Sequence, residues 1–131
     1  MFGDNNGEPT EIYKYNESLE LHSLPIFTRS QLSNYNGETR DEIYVGIKGY
    51  IYDVTSNAQS YGYGKPYHVF VGKEATRLLG LNKLKIDDLD GKDTWDYSDL
   101  GDKQLAIIDD WIKFFKNRYK IVGIIVDHEG E

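Results

Sequence analysis

At 131 residues, with 22 acidic against 15 basic side chains and a formal charge of −7, the chain reads as one acidic α+β domain. That balance excludes a phosphate-reading nucleic-acid surface and adhesion to anionic lipid, and no apolar run approaches the ~20 residues of a membrane span. The absence of cysteine excludes disulfides, cysteine–zinc and iron–sulfur sites and thiol catalysis.

Residues 1–25 are polar and weakly periodic, so they are expected as an N-terminal extension, with Ile12, Tyr13, Leu19, Leu21 and Leu24 laid across the domain surface. Order begins at Ile26. Thr28 and Gln31 form a capping box, with Phe27 and Leu32 at staple positions, and predict a short helix from residue 29 to about 34. Asn36 and Gly37 then accept a left-handed backbone and end it. In "EIYVGIKGYIYDVT" Ile43, Val45 and Ile47 alternate with Tyr44, Gly46 and Lys48, and Ile51 and Val54 follow. This pattern predicts two strands joined by a tight turn at Lys48-Gly49.

"SYGYGKPYHVFVG", residues 60–72, places Tyr61 and Tyr67 on either side of a glycine-rich turn. Ala75, Leu78 and Leu79 share a face and predict a short helix broken near Gly80. The stretch 82–102 is acidic and turn-rich, with Leu84, Ile86, Leu89 and Trp95 as anchors. Asp87, Asp88, Asp90, Asp93, Asp96 and Asp99 lack the order of a calcium-binding EF-hand and read as a solvated loop. The longest helix is predicted over 102–118, with Gly101 before it and Gln104 at its third position. Leu105, Ile108, Ile112 and Phe115 form its apolar stripe, with Trp111 beside them. "KIVGIIVD" is β-branched and predicts a last strand that returns to an earlier one.

The segments "IYVGIKGYIYDVT" and "YGYGKPYHVFVGKEATRLL", and the helix ending "FKNRYKIVG", resemble the membrane-associated progesterone receptor family, a branch of the cytochrome b5-like haem/steroid-binding domains. The resemblance covers Ile26 to Asp127. It implies a small b5-like domain, a short mixed sheet with several short helices forming a haem or ligand groove, bounded by the extension 1–25 and a tail 128–131. It assigns Tyr67 as the axial ligand to ferric haem b, Tyr61 as its hydrogen-bonding neighbour, and Arg118 and Tyr119 as contacts at the end of the long helix. The histidine motif HPGG of ordinary cytochrome b5 is absent. Tyr63 stands where the family has proline, Gly64-Lys65 replaces a residue followed by glycine, and Leu78 stands where some members have a small residue that leaves a wider pocket.

A phenol has an ordinary pKa near ~10, and ferric iron beside it drives the proton off. Tyrosinate is an established haem ligand type and favours the ferric state. His68 is the competing ligand. Neighbours in an extended loop point opposite ways, which makes Tyr67 and His68 alternatives. The sequence holds neither a P-loop nor an HExxH motif, and no triad order stands out. The implied function is haem binding without catalysis, in support of haem handling, electron transfer or regulation of cytochrome P-450 monooxygenases in sterol metabolism. The alternative is a haem-free steroid- or lipid-binding module, or a protein adaptor. The expected state is a monomer or a weak haem-mediated dimer. The expected location faces the cytoplasm, at the endoplasmic reticulum through a partner or an anchor outside this chain.

Overall fold

The computed structural model describes residues 9–85, 89 and 91–126. The capping box forms as the sequence predicts: the Gln31 amide donates to Thr28 Oγ1 at 3.0 Å, and the Thr28 amide donates to Gln31 Oε1 at 2.9 Å. It starts α2 (Arg29–Leu32). The alternating segment forms β2 (Tyr44–Ile47) and β3 (Tyr50–Asp53), paired antiparallel. Lys48 and Gly49 both adopt positive φ, +48° and +88°, as a two-residue turn matched to strand twist requires. Val45 and Ile47 point into the core. Tyr44 lies outside it, stacked on Tyr35 at 4.7 Å with Phe27 edge-on.

The last strand, β4 (Ile121–Ile125), returns to pair antiparallel with β3, with a register shift between Ile51 and Tyr52. Its other edge takes β1 (Ile26–Phe27) in parallel, so the sheet order is β1-β4-β3-β2. Gly123 permits this close fit: a Cβ there would sit 2.6 Å from the Phe27 ring.

Short helical segments and one long helix share the core with β2 and β3. A single turn, α3 (Ala58–Tyr61), follows β3, and α4 (Thr76–Gly80) follows the tyrosine loop. The long helix α5 (Asp102–Arg118) takes the predicted bounds, and Gln104 Oε1 accepts the Gly101 amide at its start. Ile108 and Phe115 are fully buried against Tyr52, Leu78 and Leu79. Arg77 is buried in α4, where it donates to Asp99 at 2.6 Å and to the Asp96 carbonyl at 3.0 Å. That bond lowers the pKa of Asp99. Among the described residues no three carboxylates or histidines gather as a metal site, and no helix is long and apolar enough to cross a membrane. Ile86, Asp87, Asp88, Asp90 and the tail 128–131 lie outside the described residues.

The segment before Ile26 differs from the surface extension read in the sequence. Residues 11–17 form a helix, α1 (Glu11–Glu17), which docks on α5. Thr10 caps it by accepting the Tyr13 amide, and its own hydroxyl donates to the Asn117 carbonyl at 2.8 Å. Asn16 is buried between α5 and β4. Its Nδ2 donates to the carbonyls of Lys116 (3.0 Å) and Tyr119 (2.9 Å), and its Oδ1 accepts the Ile121 amide (2.9 Å). The docking is carried by polar groups that meet the open end of a helix, which leaves no hydrophobic periodicity to read.

Candidate functional site

The "DVT" sequence steers β3 into the site. Asp53 Oδ1 accepts the Thr55 amide in a tight side-chain turn, and Thr55 Oγ1 accepts the Ile43 amide from across the sheet. The chain then rises through Asn57 into α3, whose last residue is Tyr61.

Tyr61 is 1% exposed. Its ring packs edge-to-face on Phe115 and Tyr119, each at 6.1 Å, and lies 5.6 Å from Tyr67. Burial above all, and then the neighbouring Tyr119 and Tyr67 phenols, hold the Tyr61 phenol far above its ordinary pKa. It is therefore a neutral phenol at any physiological pH. The Tyr119 hydroxyl accepts Asn57 Nδ2 at 2.9 Å.

The loop after Tyr61 folds back on itself. The Gly62 amide donates to the Ala58 carbonyl, and the Tyr67 amide donates to the Ser60 carbonyl, both at 2.9 Å. Gly62 is required there, because a Cβ would stand 2.6 Å from that Ala58 oxygen. Tyr67 opens a 3-10 turn over residues 68–70. The extended loop assumed in separating Tyr67 from His68 is thus replaced by a turn, whose successive side chains fan about 120° apart. The two still face different ways. Tyr67 turns onto Tyr61, Phe70 (5.7 Å) and Trp111 (6.1 Å). His68 Nδ1 lies 2.9 Å from the Tyr61 carbonyl, and its ring meets Tyr63 edge-on. Tyr63 itself is 78% exposed, so this departure from the family loop sits outside the packed cluster.

The structure brings Tyr61, Tyr67 and Tyr119 into one aromatic cluster around Phe115. It leaves Arg118 at the margin, exposed, with its guanidinium 4.9 Å from the centre of the Phe114 ring. The aromatic face that connects them was not singled out in the sequence. Ile107, Trp111, Phe114 and Arg118 follow each other at four-, three- and four-residue steps, a second stripe beside the core-facing one. Ile107 and Phe114 are half-buried, and the Trp111 ring meets both Phe114 and Tyr67 at 6.1 Å. Their seven-residue spacing was a signal available in the sequence. Asn57 carried none.

These residues fit a flat apolar group with one hard ligand atom. A half-buried phenol stands over an aromatic floor, its hydroxyl makes no hydrogen bond among the described residues, and a cation lies at the far end of the stripe. Phenolate oxygen is a suitable donor for ferric iron.

A four-stranded mixed sheet carrying several helices in this order defines a cytochrome b5-like α+β domain. A solved Arabidopsis thaliana structure described as having a cytochrome b5-like fold superposes with a TM-score of 0.68 at 37% identity, over 82% of this chain and 95% of that one. The profile of the "Cytochrome b5-like Heme/Steroid binding domain" family matches residues 28–99, and the chain belongs to that family, in the membrane-associated progesterone receptor branch. It is similar to the cytochrome P450 regulator dap1 of Schizosaccharomyces pombe, 35% identical over 76% of this chain and 62% of that protein. It is also similar to membrane steroid-binding protein 2 of Arabidopsis thaliana, 37% identical over 82% of this chain and 45% of that protein. The chain thus spans roughly half the length of these relatives. Arg118 and Tyr119 lie beyond the segment matched by the family profile.

Proposed function

We propose that this domain binds haem b through the Tyr67 phenolate and serves haem handling or the regulation of a cytochrome P-450 partner, with no catalysis of its own. The observation that carries the reading is the Tyr67 phenol, free of hydrogen bonds to described residues and set against the buried Trp111 ring, with half-buried Phe114 beyond it. When bound, ferric haem supplies a redox-active iron. The chain's own residues divide the remaining work. Tyr67 would provide the ligand oxygen. Tyr61, neutral and packed edge-to-face on Tyr119 and against Tyr67, fixes the rear of the cluster. The apolar stripe excludes water from the ligand side, and Arg118 offers a charge to a carboxylate at the rim.

The names of the relatives support a regulatory and ligand-binding role, and the negative charge of the chain suits a basic partner surface. We further place the domain on the cytoplasmic face of the endoplasmic reticulum. The test is a haemin titration followed by absorption spectroscopy on the wild type, Tyr67→Phe and His68→Ala. Saturable high-spin ferric binding that survives His68→Ala and is lost in Tyr67→Phe supports the assignment. Low-spin binding that survives Tyr67→Phe and fails in His68→Ala transfers the ligand role to His68. No saturable binding by the wild type leaves the haem-free steroid-binding or adaptor role in its place.

A further inference from the structure

Asn16-Glu17-Ser18 is the one Asn-x-Ser/Thr triplet in the chain, the acceptor sequence for N-linked glycans. In the folded domain this asparagine is closed to that reaction. It is 6% exposed, and its Nδ2 donates to two carbonyls, those of Lys116 at 3.0 Å and Tyr119 at 2.9 Å. Its Oδ1 accepts the Ile121 amide at 2.9 Å. A sugar on Nδ2 would replace one of the two donated hydrogens and claim the space of a backbone carbonyl. A glycan at Asn16 and the docked helix α1 therefore exclude each other.

The order of synthesis decides which comes first. The partners of Asn16 lie 100 to 105 positions further along the chain. At ordinary synthesis rates about 5–20 s separate the two segments. Through that interval α1 has nothing to dock on, and a helix of 7 residues does not hold its shape alone in water. Asn16 and the Ser18 hydroxyl are then presented together on open chain. After folding Ser18 stays exposed, and its hydroxyl donates to the Tyr15 carbonyl at 2.7 Å, within its own turn.

We infer that Asn16 is a glycosylation site open only before folding, and that its modification holds the N-terminal segment off the domain. In a chain passed into a compartment with a lipid-pyrophosphate-linked oligosaccharide, Nδ2 bonds to the anomeric carbon of the first sugar. The lipid pyrophosphate leaves with the bonding pair, and Nδ2 gives up one proton. A chain completed in the cytoplasm meets no such donor, and its Asn16 docks. The consequence reaches the tyrosine cluster. One of the bonds lost holds the carbonyl of Tyr119, whose ring packs on Phe115 at 5.2 Å and on Tyr61 at 6.1 Å. The inference rests on the docked helix and stands whether or not Tyr67 binds haem.

The test produces the full chain in a eukaryotic cell, with and without a cleavable signal sequence, as wild type, Ser18→Thr and Ser18→Ala. Threonine is the stronger acceptor. Alanine removes the acceptor triplet and leaves the hydrogen bonds of Asn16 in place. Mass spectrometry before and after peptide N-glycosidase reads occupancy, and hydrogen exchange over residues 11–17 reads docking. Secreted wild type and Ser18→Thr should carry glycan at Asn16, the second more fully. Their glycosylated chains should exchange over 11–17 about a hundredfold faster than the cytoplasmic protein, the factor that three lost hydrogen bonds confer. Secreted Ser18→Ala should be unmodified and as protected as the cytoplasmic protein. The inference is overturned if Asn16 stays unmodified in secreted Ser18→Thr, or if the glycosylated chain is as protected as the cytoplasmic one. It is also overturned if secreted Ser18→Ala exchanges as fast as the glycosylated chain, since the compartment and not the glycan would then undock the helix.

Discussion

Replacing Asn16 by alanine tests whether the N-terminal segment belongs to the domain. The side chain makes three hydrogen bonds of 2.9–3.0 Å, two of them classed as buried, to residues about a hundred positions away. Each such bond contributes roughly 1 kcal/mol net, and the groups left behind in Asn16→Ala are backbone ones with no other place to go. The expected loss is therefore about 3 kcal/mol. For a chain of this size that lowers the melting temperature by about 10 °C. Urea unfolding followed by tryptophan fluorescence and far-ultraviolet dichroism measures it directly, since Trp111 is 6% exposed and reports on the core. Asn16→Asp sharpens the test. Its carboxylate can still accept the Ile121 amide but would face two carbonyl oxygens. That variant should be less stable than Asn16→Ala at neutral pH and recover as acid protonates it. A loss below about 1 kcal/mol in Asn16→Ala would show that residues 9–25 rest on the domain without bracing it.

Glu74 supplies a prediction with a definite pH sign. Burial raises its pKa, while the Thr76 hydroxyl and the Gly49 amide hydrogen-bonded to its Oε2 lower it less. A carboxyl whose folded pKa lies above its unfolded one costs stability as pH rises through the two values. Glu74→Gln, which keeps an acceptor for both donors, should therefore stabilise the protein at neutral pH, and the gain should disappear in acid, as thermal melts across pH would record. Asp99 has the opposite sign, because its bond to Arg77 lowers its pKa. Its stabilising effect is present above the ordinary carboxylate range and lost as pH falls through its depressed value, so Asp99→Asn should lessen the acid sensitivity of the fold. Gly123→Ala should cost about 1–3 kcal/mol in urea unfolding, because the new methyl would overlap the Phe27 ring and crowd the Pro25 carbonyl at 3.2 Å.

The elements legible in the sequence were those whose own residues dictate them. The capping box of α2, the positive-φ pair at Lys48-Gly49 and the bounds of α5 all rest on local chemistry and appear where the pattern places them. The return of β4 to β3 was legible as a requirement, because a β-branched strand needs a partner. Its second partner, β1, was not, because two residues carry no period. In the site, the rings of Tyr61, Tyr67 and Tyr119 pack into one cluster, while the residue spacing says nothing of how those rings tilt. The loop closes in a 3-10 turn that sets the Tyr67 ring 5.6 Å from that of Tyr61, tilted by 49°. Hydroxyl direction depends on such tertiary detail, which residue spacing does not encode.

Phe115 gives the fold its functional economy. Tyr52 packs against it at 5.3 Å from β3, and Tyr61 packs against it at 6.1 Å from the tyrosine cluster. Both contacts are edge-to-face, so the Phe115 ring is held by two phenols at once. Packed interiors transmit displacement poorly by continuous deformation and well by repacking. Phe115 therefore either separates the two phenols as a rigid spacer or passes a ring reorientation between them. The protein has fastened the helix on which this depends: Asn16 holds the carbonyls of Lys116 and Tyr119, and Lys116 pairs with Glu17. A helix end tied at that many points favours the rigid spacer. The N-terminal segment thereby braces the helix that carries Phe115.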